Sequence, residues 1–314
     1  MDTSSRIKLI VNPNANLGKA RHTAFNLRPL IAAIGNVTWS ETEKPGDATA
    51  LARQAVQDGY DLVIAAGGDG TVHEVVNGLM QFPAEQRPVL GVLPLGSGND
   101  LSHAIGIDAH PEIALKQMFA SQPFRIDVGR MVDGAGTVDY WVNALGVGFD
   151  TTVTIRSHRL KVVKGFMIYL VAVLQTIILN HDAPRMKVTT DLESWEHESL
   201  MLVLCNGGRE GGAFNVSPRA RPDDGVFQYA GIQKVSRLMM LRLLPEVMKG
   251  THERFPQVHS GQFRELTLQA DRPLYIHTDG EVFSGFGSDV RQFSVTLLPG
   301  ELEVLGAKIP TDAA

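Results

Sequence analysis

Three times in its first hundred residues the chain runs from a short apolar stretch, through a turn rich in glycine or asparagine, into helical periodicity. Residues 7–11 (IKLIV) end at Asn12-Pro13. Residues 61–66 (DLVIAA) end at Gly67-Gly68-Asp69-Gly70-Thr71, and residues 89–93 (VLGVL) at Pro94 and a second glycine turn. These dipeptides are strong turn signals. A further strand is expected at 36–40 and a helix at 47–57. Beyond GGDGT, Val72, Val75, Val76 and Leu79 keep the i, i+3, i+4, i+7 spacing of one helix face. The run at 61–66 is continuously apolar, as when both faces of a strand are covered. Four strand–loop–helix repeats predict an α/β domain with a doubly wound parallel sheet. Ligands on such sheets sit at the carboxyl ends of strands, where all three turns fall.

The second half reads differently. Strand-like runs at 139–144, 186–190, 200–205, 226–232, 266–270, 274–277 and 293–297 follow one another, interrupted by a helical stretch at 235–249. The expected organisation is an α/β domain over residues 1–131 and a β-rich domain over 132–298, with residues 299–314 returning to the first. A chain of 314 residues has room for two such cores. Apolar residues at 44% and charged residues at 20% exclude a disordered or fibrous chain. A net charge of −5 argues against nucleic acid as a partner. Cys205 is the single cysteine, so no internal disulfide forms; it reads as a buried small hydrophobe, and a cytoplasmic location is expected. The first residues, MDTSSRIKLIVNPN, lack the apolar core of a signal peptide.

Glycine turns bring backbone N–H groups close to phosphate oxygens, and the helix that follows adds partial positive charge. Neither turn is GxxxxGK[ST] or GxGxxG. Asp69 and Asp100 repel phosphate unless Mg²⁺ lies between them and it. A purely structural role for the turns is the alternative.

Taken in order, NPNANLG, GGDGTVHEVVNGL, PLGSGNDLSHAIGI, NALGVGFD, NGGREGGAFNVSPRARPDDG and DGE resemble the diacylglycerol kinase catalytic family in its bacterial lipid kinase branch. The resemblance runs from about residue 6 to residue 305. Ser97 stands where the family more often has threonine, which keeps the hydroxyl. The resemblance implies a nucleotide-binding α/β domain followed by a β-sandwich, with ATP and Mg²⁺ as cofactors. It implies nucleotide contacts from Asn12, Asn14 and Thr42, from Gly67, Gly68, Asp69, Gly70, Thr71, Val72, His73 and Glu74, and from Gly96, Ser97 and Asn99. Thr42 reads equally as a capping hydroxyl, and Glu74 as a carboxylate held by its helix dipole.

Transfer of a phosphoryl group to an alcohol needs a base for the hydroxyl proton. By composition His277-Thr278-Asp279-Gly280-Glu281 is a hairpin turn. The resemblance places the general base in this segment, with Glu281 the first choice, Asp279 the second, and Asp69 organising Mg²⁺ through water. It also implies a structural Mg²⁺ at Asp224 with the carbonyls of Arg221 and Val226, in a segment that is otherwise a plain turn.

Residues 165–180 (GFMIYLVAVLQTIILN) form the longest uncharged apolar stretch, shorter than the ~20 residues that span a bilayer. Arg156, Arg159, Lys161 and Lys164 precede it. Either this is a core helix with a solvated basic lead-in, or it docks peripherally on the inner membrane surface, where a lipid substrate resides. The leading expectation is a lipid kinase. An NAD kinase, which shares GGDGT, and a non-catalytic nucleotide- or lipid-binding regulator are the alternatives.

Overall fold

The computed structural model describes residues 5–33, 35–160 and 166–307. The chain divides into two compact units, one built on residues 1–126 and 300–314, the other on residues 127–299.

In the first unit, β1 (Ile7–Val11), α1 (Lys19–Ala32), β2 (Val37–Glu41), α2 (Asp47–Gln57), β3 (Leu62–Gly67), α3 (Asp69–Leu79), β4 (Val89–Pro94), α4 (Asp100–Ala104) and α5 (Pro111–Ala120) follow in turn. The strands are parallel in the order β2-β1-β3-β4. Every residue of β1 and β3 is buried, which accounts for their continuous apolar sequences. Helix α2 turns Ala48, Ala52, Ala55 and Val56 inward, and α3 turns Val72, Val75, Val76 and Leu79 inward. The expected helix face of α3 is the buried one.

The chain then continues through β5 (Pro123–Asp133), β6 (Val138–Trp141), β7 (Ala144–Gly148), α6 (Phe149–Ser157), α7 (Phe166–Leu179), β8 (Arg185–Thr190), β9 (Ser194–Cys205), β10 (Phe227–Gln233), α8 (Arg237–Lys249), β11 (Val258–Phe263), β12 (Glu265–Ala270), β13 (Ile276–Thr278), β14 (Glu281–Ser284) and β15 (Gln292–Leu305). The second unit is a β-sandwich-like body. Strand β9 pairs with β8 through its first half and with β7 and β10 through its second, so one strand serves both sheets. Met186, Val188, Leu266, Leu268, Phe293 and Val295 from one sheet meet Leu145, Val147, Leu202, Leu204, Phe227 and Ile276 from the other in a single core.

Two local expectations change. The strand read at 139–144 is broken into β6 and β7, because the backbone N–H groups of Val142 and Asn143 turn to a side chain instead of a neighbouring strand. The strand read at 293–297 continues through Pro299-Gly300 to Leu305; Gly300 takes φ +56°, redirecting the strand without ending it. Residues 166–179 of the apolar stretch form helix α7. Its Ala172, Val173 and Ile177 pack with Leu200 and Met240, while Met167, Leu174, Ile178 and Leu179 are exposed. Arg159 is exposed and Arg156 donates to Asn180 Oδ1; Lys161 and Lys164 lie outside the described residues. No described helix is long and apolar enough to cross a membrane.

Candidate active site

The three turns at the carboxyl ends of β1, β3 and β4 are tied together in the first unit. Asp69, the first residue of α3, accepts the Asn99 N–H on Oδ2 at 2.7 Å and the Asp100 N–H on Oδ1 at 2.6 Å. A Cβ on Gly96 would lie 2.3 Å from the Gly68 Cα, so the two glycine loops meet backbone to backbone. Asn99, at φ +54°, closes its own loop by accepting the Gly96 N–H at 2.9 Å and donating to the Gly96 carbonyl at 3.1 Å. Asn12 donates to Thr71 Oγ1 at 3.1 Å, and its Oδ1 accepts the Asn14 N–H at 3.0 Å. Thr42, Thr71, Val72 and His73 are buried, whereas Asn14 and Ser97 are exposed at the edge of the loops. Helices α1 and α3 both begin after a glycine, Gly18 and Gly68, which has no side chain to cap the helix, and α3 carries Asp69 in its first turn. The Glu74 carboxylate accepts the Gly46 and Ala48 N–H groups at 2.9 and 3.0 Å. It therefore caps α2 instead of lying along its own helix.

In the second unit, Asp279 and Gly280 are the two central residues of the β13–β14 hairpin, with φ of +50° and +84°. Asp-Gly is the pair that a mirror-image type I turn prefers. The buried Asp279 carboxylate accepts three backbone N–H groups, from Val142 at 3.0 Å, Asn143 at 2.8 Å and Ala144 at 3.1 Å. Glu281, two residues on, is exposed at the start of β14. The segment is thus a hairpin turn, as its composition predicts.

A third group was not singled out from the sequence. His277, fully buried, places Nε2 2.8 Å from Asp150 Oδ2 and 3.1 Å from Glu210 Oε1. Its Nδ1 accepts the Gly280 N–H at 3.3 Å. Burial, then the charge of Asp150, pushes the Glu210 carboxyl up to about 7 despite His277. The three side chains offer ligand atoms within 4.8 Å of one another. Asp150 and Glu210 lie in GVGFD and NGGREGG, but nothing in either segment points to the other or to His277.

At the turn after Arg221, the Asp224 Oδ1 accepts the Val226 N–H at 3.2 Å, and the buried Asp127 accepts the Gly225 N–H at 2.7 Å. Burial, and after it the charges of Asp127 and Asp223, raise the Asp224 carboxyl above the usual range, with Arg221 opposing. Asp127, almost a hundred residues upstream, carried no signal of its own in the sequence.

Residues 6–131 match the family model described as "Diacylglycerol kinase catalytic domain", and residues 143–306 match the "YegS C-terminal NAD kinase beta sandwich-like domain". A Chromohalobacter salexigens protein described as "Probable lipid kinase YegS-like" is 32% identical over 268 residues, 85% of this chain and 81% of the relative. A Staphylococcus saprophyticus "Diacylglycerol kinase" is 27% identical over 278 residues, 88% of both chains. The fold is that of a crystal structure of a diacylglycerol kinase from Bacillus anthracis, at TM-score 0.72 and 22% identity over 96% of this chain and 97% of that one. The chain belongs to the diacylglycerol kinase catalytic family and is a phosphotransferase of its lipid kinase kind.

Proposed function

We propose that the protein transfers the γ-phosphoryl group of ATP to the hydroxyl of a membrane lipid such as diacylglycerol, with Glu281 as general base. The observation that carries this reading is the contrast at the hairpin tip. Asp279 is committed to three backbone N–H groups, whereas Glu281, on the same fixed turn, is exposed. The Asp279 oxygens are occupied by those backbone donors, whereas the Glu281 carboxylate is accessible to a substrate hydroxyl. As the lipid oxygen attacks the γ-phosphorus, its proton passes to Glu281 and the bond to the β-phosphate oxygen breaks, releasing ADP.

The glycine loops and the helix N-termini that follow them in the first unit fit a polyphosphate. In this reading Asn12, Asn14, Thr42, residues 67–73, Gly96, Ser97 and Asn99 line the nucleotide, and Glu74 acts indirectly by holding the loop before α2. The Asp69 and Asp100 carboxylates flank Gly98 and offer the oxygen ligands that Mg²⁺ prefers. Bound there, Mg²⁺ would offset phosphate charge. The turn at Asp224, with the Arg221 and Val226 carbonyls, fits a second, structural cation, because a positive ion would relieve the repulsion among its carboxylates.

The exposed Met167, Leu174, Ile178 and Leu179 of α7, with Leu238 and Leu241 of α8, support a peripheral contact with the cytoplasmic membrane surface. The test of the function is labelled ATP with Mg²⁺ and a total lipid extract, the product identified by mass spectrometry and NAD offered in parallel. A phosphorylated lipid is expected; phosphorylation of NAD alone overturns the reading.

A further inference from the structure

We propose that His277 is a positioning residue that clamps the Gly280 turn and thereby aims Glu281, with Asp150 and Glu210 fixing the ring. This rests on the reading of Glu281 as the base. The carrying observation is that both ring nitrogens are engaged, and in opposite senses.

Nδ1 accepts the Gly280 N–H at 3.3 Å, so it bears no proton in this arrangement. The ring's single proton is then on Nε2, donated toward Asp150 Oδ2 at 2.8 Å and Glu210 Oε1 at 3.1 Å. Burial lowers the proton affinity of His277, while the Glu210 and Asp150 charges push it up to about 10, which alone would make it an imidazolium. An imidazolium, however, would aim an Nδ1–H at the Gly280 N–H. Leaving that proton on the carboxylate pair keeps the total charge of the three side chains and preserves the bond. The raised Glu210 carboxyl, whose buried Oε2 has no hydrogen-bond partner among the described residues, is the natural holder of that proton.

The same tautomer speaks against a metal ion at these three side chains. A histidine that ligates through Nε2 donates its other N–H outward, to a carbonyl or carboxylate. Here the other nitrogen faces a donor. The three groups are a hydrogen-bonded brace, not a ligand set.

What the brace holds is the turn. Gly280 separates Asp279 from Glu281, and both turn residues have positive φ. Asp279 fixes one side of the turn through the N–H groups of residues 142–144, and His277 fixes the other through Gly280. The direction in which Glu281 leaves the hairpin depends on both anchors. Small displacements of a catalytic group cost rate, about a hundredfold for an ångström.

The test compares His277→Ala, His277→Asn and each combined with Glu281→Gln. An asparagine oxygen can accept near the position of Nδ1 but offers nothing on the Nε2 side. His277→Ala should lower kcat about tenfold or more with the KM for ATP little changed, and His277→Asn should recover most of that loss. The His277→Ala/Glu281→Gln pair should be no slower than Glu281→Gln alone, since His277 acts through Glu281. Independently of activity, the ¹⁵N shifts of His277 at pH 7 should show a protonated Nε2 and a bare Nδ1. An imidazolium spectrum, an asparagine variant as slow as alanine at equal stability, or multiplicative losses in the double variant would overturn the clamp. Full activity of Glu281→Gln would instead overturn the assignment of the base, with the ¹⁵N spectrum still deciding the state of the brace.

Discussion

Asp279 and Glu281 stand on one hairpin, and their carboxylates meet opposite surroundings. Replacing Glu281 with Gln should lower kcat by ~10²–10⁴-fold while the KM for ATP and the unfolding midpoint stay close to the parent, read by steady-state kinetics and urea denaturation. Asp279→Asn should behave differently. Asparagine tolerates the positive φ, so the loss is that of charge from three N–H bonds, and unfolding stability should drop by ~2–4 kcal/mol. Glu210 adds a pH dependence. Burial and the charge of Asp150 raise its carboxyl above the ordinary carboxylate range, so just above that range the folded chain holds a proton that the unfolded chain has released. Stability therefore falls as pH rises through the interval between the unfolded and the raised folded value. Glu210→Gln should show a higher Tm than the parent at pH 8, and the gain should fade toward pH 4. An equal difference at both pH values would mean that Glu210 is not the raised group.

At the scale of elements, the turn at 221–226 gathers Asp127, Asp223 and Asp224 around Gly225. The parent's Tm should rise with added Mg²⁺, and Asp224→Asn should abolish that increment; a Tm indifferent to Mg²⁺ in the parent removes the structural cation. The elements also show what could be read from sequence. The glycine turns, the strands that precede them and the face of α3 were legible because each is a pattern within a dozen residues. The Asp-Gly hairpin was legible for the same reason. The partners of those elements were not. Glu74 reaches back to Gly46 and Ala48, His277 meets an aspartate 127 residues earlier, and the break at Val142-Asn143 is made by Asp279. Each is a contact between a side chain and a distant segment, and no local periodicity encodes it. Helix α7 was half legible: its apolar character all round is plain, but which face the core takes depends on Leu200 and Met240.

For the molecule as a whole, access to a lipid is the demand that a kinase of water-soluble alcohols does not face. Ile178, Leu179 and Leu238 are 67%, 63% and 79% exposed, so changing all three to serine should scarcely alter stability. Each loses ~1–2 kcal/mol of apolar burial on membrane binding. The triple variant should bind anionic vesicles more weakly and show a raised KM for vesicle-borne lipid, with a short-chain dispersed substrate little affected. Arg159→Glu should act in the same direction and more strongly at low salt. Equal loss on both substrates would mean that the face serves folding alone.

The discontinuity of the first unit sets an order of events during synthesis. Val304 of β15 pairs with Leu90 of β4, the Arg87 guanidinium meets the Glu301 carboxylate at 3.0 Å, and Leu302, Val304 and Leu305 are buried. Until those residues leave the ribosome, the β4 edge of the sheet has no such neighbour. Residues 127–299 must be translated in between, which takes about 9–35 s at the usual ~5–20 residues per second. The half of the protein that is made first is thus the half that is completed last. In that interval a bare, strongly apolar strand edge is on offer to any other nascent chain, and the closing strand ends this exposure only when it arrives.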